Sequence, residues 1–296
     1  MAKKSKLMGY EWMVKYTPQE EWIQGKGILL WLAFFFSEIG AGIYFVSIFL
    51  NFRPGWLIGW LVTMALGGLV HITYLGKPMR SWRIFFRPTS SELSRGLWVI
   101  LLFAVIGFFQ ILPVAVSGLP WTGDSLVLKT IMAILCILIM THGFLTMSVV
   151  KAIPMWNSSM MIPMSLVSGI WVGSQASELM LLIMAQDINI AEGWARWSLL
   201  SYMGVLAMFL WGAMHASEAA RVSINKLLMG DSSVHFYIGG ITVGIIIPLI
   251  ITIVVWKNDL TKLNSGILFV RFLCVLVGDL VMRYKIMKGG LYSPLI

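Results

Sequence analysis

The chain has 296 residues, of which 58% are hydrophobic and 12% charged, with a mean hydropathy of +0.85 and a net charge of +9. Soluble domains carry about 25% charged residues, so this composition excludes a soluble domain and indicates a polytopic membrane protein. The positive charge does not imply a nucleic-acid partner, because short loops of membrane proteins are normally basic.

The chain begins with a polar segment, residues 1–26, in which Trp12 and Trp22 alternate with lysine and glutamate. This pattern is typical of a segment that lies at the membrane interface. The apolar run that follows is longer than the core of a signal peptide and has no small-x-small cleavage site, so we expect it to be retained. Residues 27–296 are predicted to form one transmembrane domain, since no loop is long enough to bury a core of its own.

Eight apolar runs make up that domain, and each has about the 20 residues that a helix needs to cross a bilayer. The runs are continuous and lack the alternation of membrane-spanning strands. The predicted fold is therefore an all-α integral membrane protein with eight transmembrane helices arranged as helical bundles. The predicted spans are 27–50, 56–75, 96–116, 126–150, 160–185, 194–216, 236–256 and 266–282.

The distribution of basic residues predicts how the chain is oriented. An even number of spans places both termini on one side, together with the loops between spans 2 and 3, 4 and 5, and 6 and 7. That side carries sixteen lysines and arginines, and the opposite side carries six. By the positive-inside rule the termini are predicted to be cytoplasmic.

Ionisable residues inside a span are costly, which makes each one a functional candidate. At about 1.5 Å per residue, His71 and His142 lie roughly 9–14 Å below the terminus-side surface in different spans. A lone histidine is more often structural, but two at one depth favour a ligand role. For Glu38, a hydrogen-bonded packing role and a proton-relay role stay equally open. The full set is Glu38, His71, His142, Glu178, His215, Glu218, Arg271 and Asp279.

The second span carries the most informative motif, because His71 and Tyr74 sit inside an apolar helix that ends at a basic rim. Buried polar groups beside such a rim suit a small amphiphile whose head is held at a defined depth, such as a quinone. A histidine or tyrosine would hydrogen-bond the head, and the rim would stabilise negative charge on it. The predicted quinone-binding residues are His71, Tyr74, His142, Lys77, Arg80 and Glu38.

Four stretches carry a family resemblance: residues 74–96 (YLGKPMRSWRIFFRPTSSELSRG), 38–44, 151–157 and 283–294. They resemble the NrfD-like family, the membrane subunits of polysulfide reductase and related molybdopterin oxidoreductases. Relatives often have His or Asp directly before Leu-Gly-x-Pro, where this chain has Tyr74. His71 lies one turn earlier on about the same face.

The resemblance implies a quinone-binding anchor in the cytoplasmic membrane of a prokaryote, with an iron–sulfur partner subunit and a molybdopterin catalytic subunit. The loop between spans 2 and 3 would dock the iron–sulfur subunit, with Trp82 and Phe85 as apolar anchors. Many relatives place these subunits outside the membrane, whereas the charge count places this loop inside. Either the complex works on the cytoplasmic face, or docking overrides the charge rule.

Two alternatives to the quinone anchor follow from the same residues. His71 and His142 would suit the axial ligation of a b-type heme, and Glu38, Glu178 and Asp279 would suit a proton-translocating transporter. The resemblance argues against heme, and no C-x-x-C motif is present, so neither heme nor an iron–sulfur cluster is expected in this chain. With no extramembrane domain, the chain is not expected to act on a soluble substrate alone.

Overall fold

The computed structural model describes residues 11–230, 233–257 and 264–295. This part of the chain contains eight helices that are long and apolar enough to cross a membrane, which confirms the predicted all-α fold. The helices are span 1 (Gly27–Phe49), span 2 (Arg53–Tyr74), span 3 (Glu92–Ala115), span 4 (Leu126–Ser148), span 5 (Met161–Ile183), span 6 (Asn189–Ala216), span 7 (Ser233–Lys257) and span 8 (Ser265–Lys288).

Span 8 differs from its prediction in a way that matters for function. The predicted end at residue 282 is wrong, because the helix continues through Arg283 to Lys288. Arg283 is therefore part of a helix interior and is buried by protein on all sides. The apolar run ends before the helix does, so hydropathy alone placed the boundary six residues, or nearly two turns, too early.

The two ends of the chain meet at the same end of the helical domain. The strand Thr17–Pro18 (β1) pairs antiparallel with the strand Leu291–Tyr292 (β2). The backbone N–H of Gln19 also donates to the carbonyl of Gly290 at 3.1 Å. This pairing agrees with an even number of spans. Residues 1–10 of the predicted interfacial segment lie outside the described residues.

Two spans contain π-helical stretches. Span 2 is π-helical over Val62–Gly67, and span 7 is π-helical over Phe236–Ile246. The second stretch leads directly to Pro248, which lacks an N–H and disturbs the preceding turn. Pro113 does not break span 3, which is continuous over its whole length.

The spans form two groups of four. Spans 1–4 form a closed ring, the first bundle. Spans 5–8, the second bundle, pack with span 5 against spans 6 and 8, and span 8 against span 7. Spans 1 and 5 join the two bundles and are 72% and 67% buried, against 22–33% for the others. A Cβ on Gly42 would overlap the backbone of Gly169, so these glycines allow spans 1 and 5 to approach closely.

Candidate functional site

A narrow cleft lies inside the first bundle and receives one ionisable side chain from each of three spans. These are Glu38 of span 1, His71 of span 2 and His142 of span 4. Between its walls the cleft has room for about one water molecule. Its other lining residues are Phe34, Ser37, Gly96, Val99, Ile100, Ile139 and Gly143.

The ring of His71 is fixed by its own helix. Its Nδ1 donates a hydrogen bond to the carbonyl of Gly67 at 3.1 Å, and its ring meets Phe34 edge-on at 5.8 Å between centroids. A carbonyl only accepts hydrogen bonds, so the proton of a neutral imidazole is on Nδ1 and Nε2 is an acceptor. His71 therefore offers a fixed acceptor for a hydroxyl group.

His142 is placed by a glycine on the neighbouring span. A Cβ on Gly96 of span 3 would overlap the His142 imidazole, so the ring occupies space that only glycine leaves. Among the described residues its ring nitrogens have no hydrogen-bond partner, although it interacts electrostatically with His71. The ring nitrogens of His142 are thus free of described partners and can hydrogen-bond a molecule in the cleft.

Glu38 belongs both to the cleft and to the contact with the second bundle. Its Oε2 accepts hydrogen bonds from Arg283 of span 8 and, at 3.0 Å, from the hydroxyl of Ser165 of span 5. Its Oε1 is buried beside Gly143, a cleft residue, and has no partner in the described part of the chain. One carboxylate oxygen therefore faces the cleft while the other is held by an arginine.

Arg283 organises a buried ionic cluster at this contact. Its Nε donates to Asp279 Oδ2 at 2.7 Å and its Nη2 donates to Ser168 Oγ at 2.7 Å, in addition to its bond to Glu38. The sequence left Asp279 free to pair with Arg271 or Arg283, and the structure pairs it with Arg283. Sequence reasoning missed the Glu38–Arg283 pair, because the two residues are far apart in the chain, and the i, i+4 spacing signals only the pair of Asp279 with Arg283.

A second buried ionic cluster lies toward the other end of the second bundle. Arg271 of span 8 pairs with Glu178 of span 5 and also donates to Thr252 Oγ1 at 3.3 Å. Nearby, Glu192 of span 6 pairs with Arg196 at 3.6 Å. Arg196, Arg271 and Arg283 therefore each have a carboxylate beside them, which offsets the cost of a charge in a low-dielectric interior.

Three of the predicted quinone-binding residues do not line the cleft. Tyr74 is the last residue of span 2 and is half-buried, while Lys77 and Arg80 are exposed in the loop that follows. The structure brings together Glu38, His71 and His142 and leaves these three at the rim on the terminus side.

The structure places His215 and Glu218, two of the ionisable candidates from the sequence, in different helices. Span 6 ends at Ala216, and Ser217 has extended backbone and caps a separate helix, Glu218–Met229. Glu218 is exposed and pairs with Arg221, while His215 bonds only to the carbonyl of Trp211 at 2.8 Å. Neither residue belongs to a buried site.

The loop between spans 2 and 3, called loop 2–3 below, contains the 3₁₀ helix Pro78–Phe86 and presents large apolar side chains to solvent. Met79, Trp82 and Phe86 are all more than half exposed. Phe85 was predicted as a docking anchor, but it packs against Trp98 at 5.2 Å between ring centroids. The exposed apolar side chains of this helix are therefore Met79, Trp82 and Phe86, whereas Phe85 is partly covered.

Comparison with known proteins adds one family and one relative. The profile of the family described as "Polysulphide reductase, NrfD" matches residues 26–294. The "Protein NrfD homolog" of Haemophilus influenzae is 23% identical over 264 residues, which cover 80% of this chain and 81% of that protein. The profile match includes all eight spans, and with them the cleft, both ionic clusters and loop 2–3.

Proposed function

The chain belongs to the NrfD family and is a membrane subunit of a respiratory oxidoreductase, and from that premise we propose that it binds quinone or quinol in the cleft. It exchanges electrons between the quinone pool and an iron–sulfur partner subunit. The observation that carries this proposal is the meeting of His71, His142 and Glu38 in one apolar cleft. Each of the three has a polar atom that forms no hydrogen bond with a described side chain.

The chemistry of the cleft fits a quinone head group. The head needs apolar walls and a polar partner at each ring oxygen. Phe34, Val99 and Ile100 supply walls, and the two histidines come from different spans. Because the cleft has room for about one water molecule, a ring enters only when wall side chains shift.

Each polar residue of the cleft has its own role in the reaction. A bound quinol supplies two electrons and two protons when it is oxidised. His71 Nε2 accepts a hydrogen bond from one hydroxyl, since Gly67 holds the ring in that orientation. His142 contacts the other hydroxyl, and Glu38 takes up a proton on Oε1 while Arg283 keeps the carboxylate in place.

Loop 2–3 supplies the route for electrons. It follows span 2 directly after the cleft residue His71, so a partner docked there lies close to the cleft. Exposed Trp82 and Phe86 fit an apolar contact, and Arg83 and Arg87 fit carboxylates on an iron–sulfur subunit. A molybdopterin catalytic subunit then selects the terminal substrate.

The rim and the membrane complete the proposal. Tyr74, Lys77 and Arg80 lie at the rim, where their hydrogen-bond donors contact the ring oxygens of the neutral quinone head as it enters the cleft. The complex lies in the cytoplasmic membrane of a prokaryote, and the excess of basic residues puts the chain termini in the cytoplasm.

The test compares two ways of driving the same complex. His71→Ala and His142→Ala each remove one hydrogen bond to the head, at a cost of about 0.5–1.5 kcal/mol and more for a charged species. Quinol-driven turnover should fall about tenfold. Turnover driven by a reduced viologen, which feeds the partner subunits directly, should not change.

The matched control is His215→Ala, which removes an exposed histidine of span 6. It should leave both rates unchanged. Normal quinol turnover in both His71→Ala and His142→Ala would reject the cleft as the quinone site. A reduced b-type absorbance band from the purified subunit would favour the heme alternative instead.

A further inference from the structure

A basic pocket opens on the terminus side of the second bundle and shares no lining residue with the cleft. It lies between the helix Glu218–Met229, the end of span 8 and the paired strands β1 and β2. Its walls include the buried side chains of Leu227 and Leu291. Lysines from two helices line it, so we call it the lysine pocket; they are Lys226, Lys285 and Lys288.

Lys285 is buried although it has no opposite charge beside it. The residue is only 6% exposed. Its ammonium group lies 5.9 Å from the centroid of the Tyr284 ring, and within the described part of the chain it forms no hydrogen bond and no ion pair. Lysine is almost never buried without a paired charge, because an unpaired buried charge costs free energy. An anion in the pocket would remove this cost.

The other two lysines add positive charge to the pocket. Lys288 lies one turn after Lys285, with its ammonium group 5.7 Å from the same Tyr284 ring, and the two ammonium groups repel each other. Lys226 comes from the facing helix. The described residues that line the pocket include no carboxylate. Three like charges around one cavity are unfavourable unless a negative group lies between them.

Helix dipoles explain only part of this arrangement. All three lysines lie in the last turn of a helix, where a cation interacts favourably with the helix end. The N–H groups of Gly230 and Gly289 already cap these ends, since they donate to the carbonyls of Lys226 and Lys285 at 3.0 Å and 2.8 Å. The dipole acts equally well on an exposed side chain, so it does not account for the burial of Lys285.

The position of the pocket matches the level of lipid head groups. Lys285 and Lys288 form the terminus-side end of a membrane span, and the chain continues from the pocket residue Gly230 toward the start of span 7. Met229 and Val234, on either side of this connection, are 84% and 59% exposed, which suits contact with acyl chains. Basic pockets between membrane helices bind the phosphate head groups of anionic lipids.

We propose that the lysine pocket binds the phosphate head group of an anionic membrane lipid, whose acyl chains lie against the start of span 7. The ammonium groups of the three lysines surround the phosphate. The bound lipid joins the helix Glu218–Met229 to the end of span 8 and so stabilises this end of the second bundle. The site is separate from the cleft and does not depend on the proposed function.

The first experiment measures lipid binding to the purified, delipidated complex by native mass spectrometry. The probes are phosphatidylglycerol, phosphatidylcholine with the same acyl chains, and inorganic phosphate. The wild-type complex should retain a phosphatidylglycerol molecule that phosphatidylcholine does not displace. Each lysine beside a lipid phosphate contributes about a fivefold factor in affinity, so Lys226→Gln with Lys288→Gln should weaken this binding about 25-fold.

The second experiment separates a bound lipid from a role of Lys285 in folding. Lys285→Met removes the buried charge and keeps most of the length of the side chain. Without added lipid this variant should unfold at the wild-type temperature or above it, because the unpaired charge is gone. Phosphatidylglycerol should raise the unfolding midpoint of the wild type and not that of Lys285→Met. A variant that is less stable without lipid and still stabilised by it would overturn the proposal.

The matched control is Lys26→Gln with Lys151→Gln, which removes two exposed lysines from the same side of the membrane and outside the pocket. It should bind phosphatidylglycerol as the wild type does. An equal loss of binding in this control would show a general attraction to the basic face instead of a site. Equal stabilisation by inorganic phosphate would overturn the assignment to a lipid. Pocket variants that release a partner subunit and keep the lipid would assign the pocket to a protein contact.

Discussion

The two bundles bury very different kinds of side chain. Spans 1–4 contain one buried ionisable carboxylate, Glu38, within the described residues, and their cleft is otherwise formed by imidazole and apolar groups. Spans 5–8 bury carboxylates and arginines in two clusters. The first bundle is suited to an uncharged, partly polar molecule, and the second to holding charge. Glu38 is the residue at which the two meet.

The largest predicted loss of stability follows from substitution of Arg283, at the centre of the buried charges. Arg283→Met leaves Glu38 and Asp279 without their shared cation, and breaking a buried pair in this way costs about 3–5 kcal/mol. The thermal unfolding midpoint of the purified complex should fall clearly. The triple variant Glu38→Gln, Asp279→Asn, Arg283→Met removes the uncompensated charges and should recover most of the loss. A single variant as stable as the wild type would show that the cluster is not held by charge.

Loop 2–3 should bind its partner through exposed aromatic groups. Trp82→Ala should weaken retention of the iron–sulfur subunit by about 2 kcal/mol, the usual effect of truncating an interfacial tryptophan. Arg83→Glu with Arg87→Glu should make retention fail at lower salt. Trp211→Ala, an exposed tryptophan of span 6, serves as control in a co-purification assay. Retention unchanged by Trp82→Ala would place the docking surface elsewhere.

The role of the cleft in the first bundle can be tested with substitutions that leave every polar side chain in place. Gly96→Ala places a methyl group against His142, whereas Gly68→Ala of span 2 meets nothing within 4 Å. Overpacking of this kind costs about 1–3 kcal/mol, and here it displaces the imidazole. Quinol-driven turnover should fall about tenfold in Gly96→Ala and stay normal in Gly68→Ala, with viologen-driven turnover normal in both. Equal rates of quinol-driven turnover in the two variants would show that the position of His142 does not affect the reaction.

The smallest effect is expected at an ion pair on the surface of the first bundle. Partial burial raises the pKa of Asp124, but hydrogen bonds and attraction from Arg53 and Lys129 outweigh it, and the net pKa lies below its ordinary value. A carboxyl whose folded pKa is lowered adds stability above its ordinary pKa and loses it as pH falls through the lowered value.

Asp124→Asn should therefore lower the unfolding midpoint slightly at pH 7 and not at the acid end of the range. Exposed pairs contribute little, so this change should be far smaller than that of Arg283→Met. A large fall of the unfolding midpoint at pH 7 would contradict the expectation that the surface ion pair stabilises the protein far less than the buried cluster does.

The sequence predicted the eight spans because length and hydropathy decide which segments cross a membrane. It misplaced the end of span 8, since a helix continues past its apolar run when neighbouring spans cover its polar side chains. It placed the end of span 6 at residue 216, where the structure also ends it, because the apolar run stops before the polar residues Ser217 and Glu218.

The depth of the candidate site in the membrane was predictable, but the set of residues that line it was not. Distance along a helix puts His71 and His142 at one depth, whereas rotation about each axis decides which side chains line the cleft. Tyr74 is three residues from His71 and still lies outside it. Gly96 and Gly143 were not found, because a glycine is recognised as part of a site only when the opposing side chain is known.

The most direct test of the account is photoaffinity labelling of the purified complex with a quinone that carries a photoreactive group on its ring, followed by peptide mapping. The account predicts label on peptides that contain Phe34, Ile100 or Ile139, competition by unmodified quinone, and weaker labelling in His142→Ala. Label confined to spans 5–8, or label that unmodified quinone does not displace, would contradict a quinone site in the first bundle.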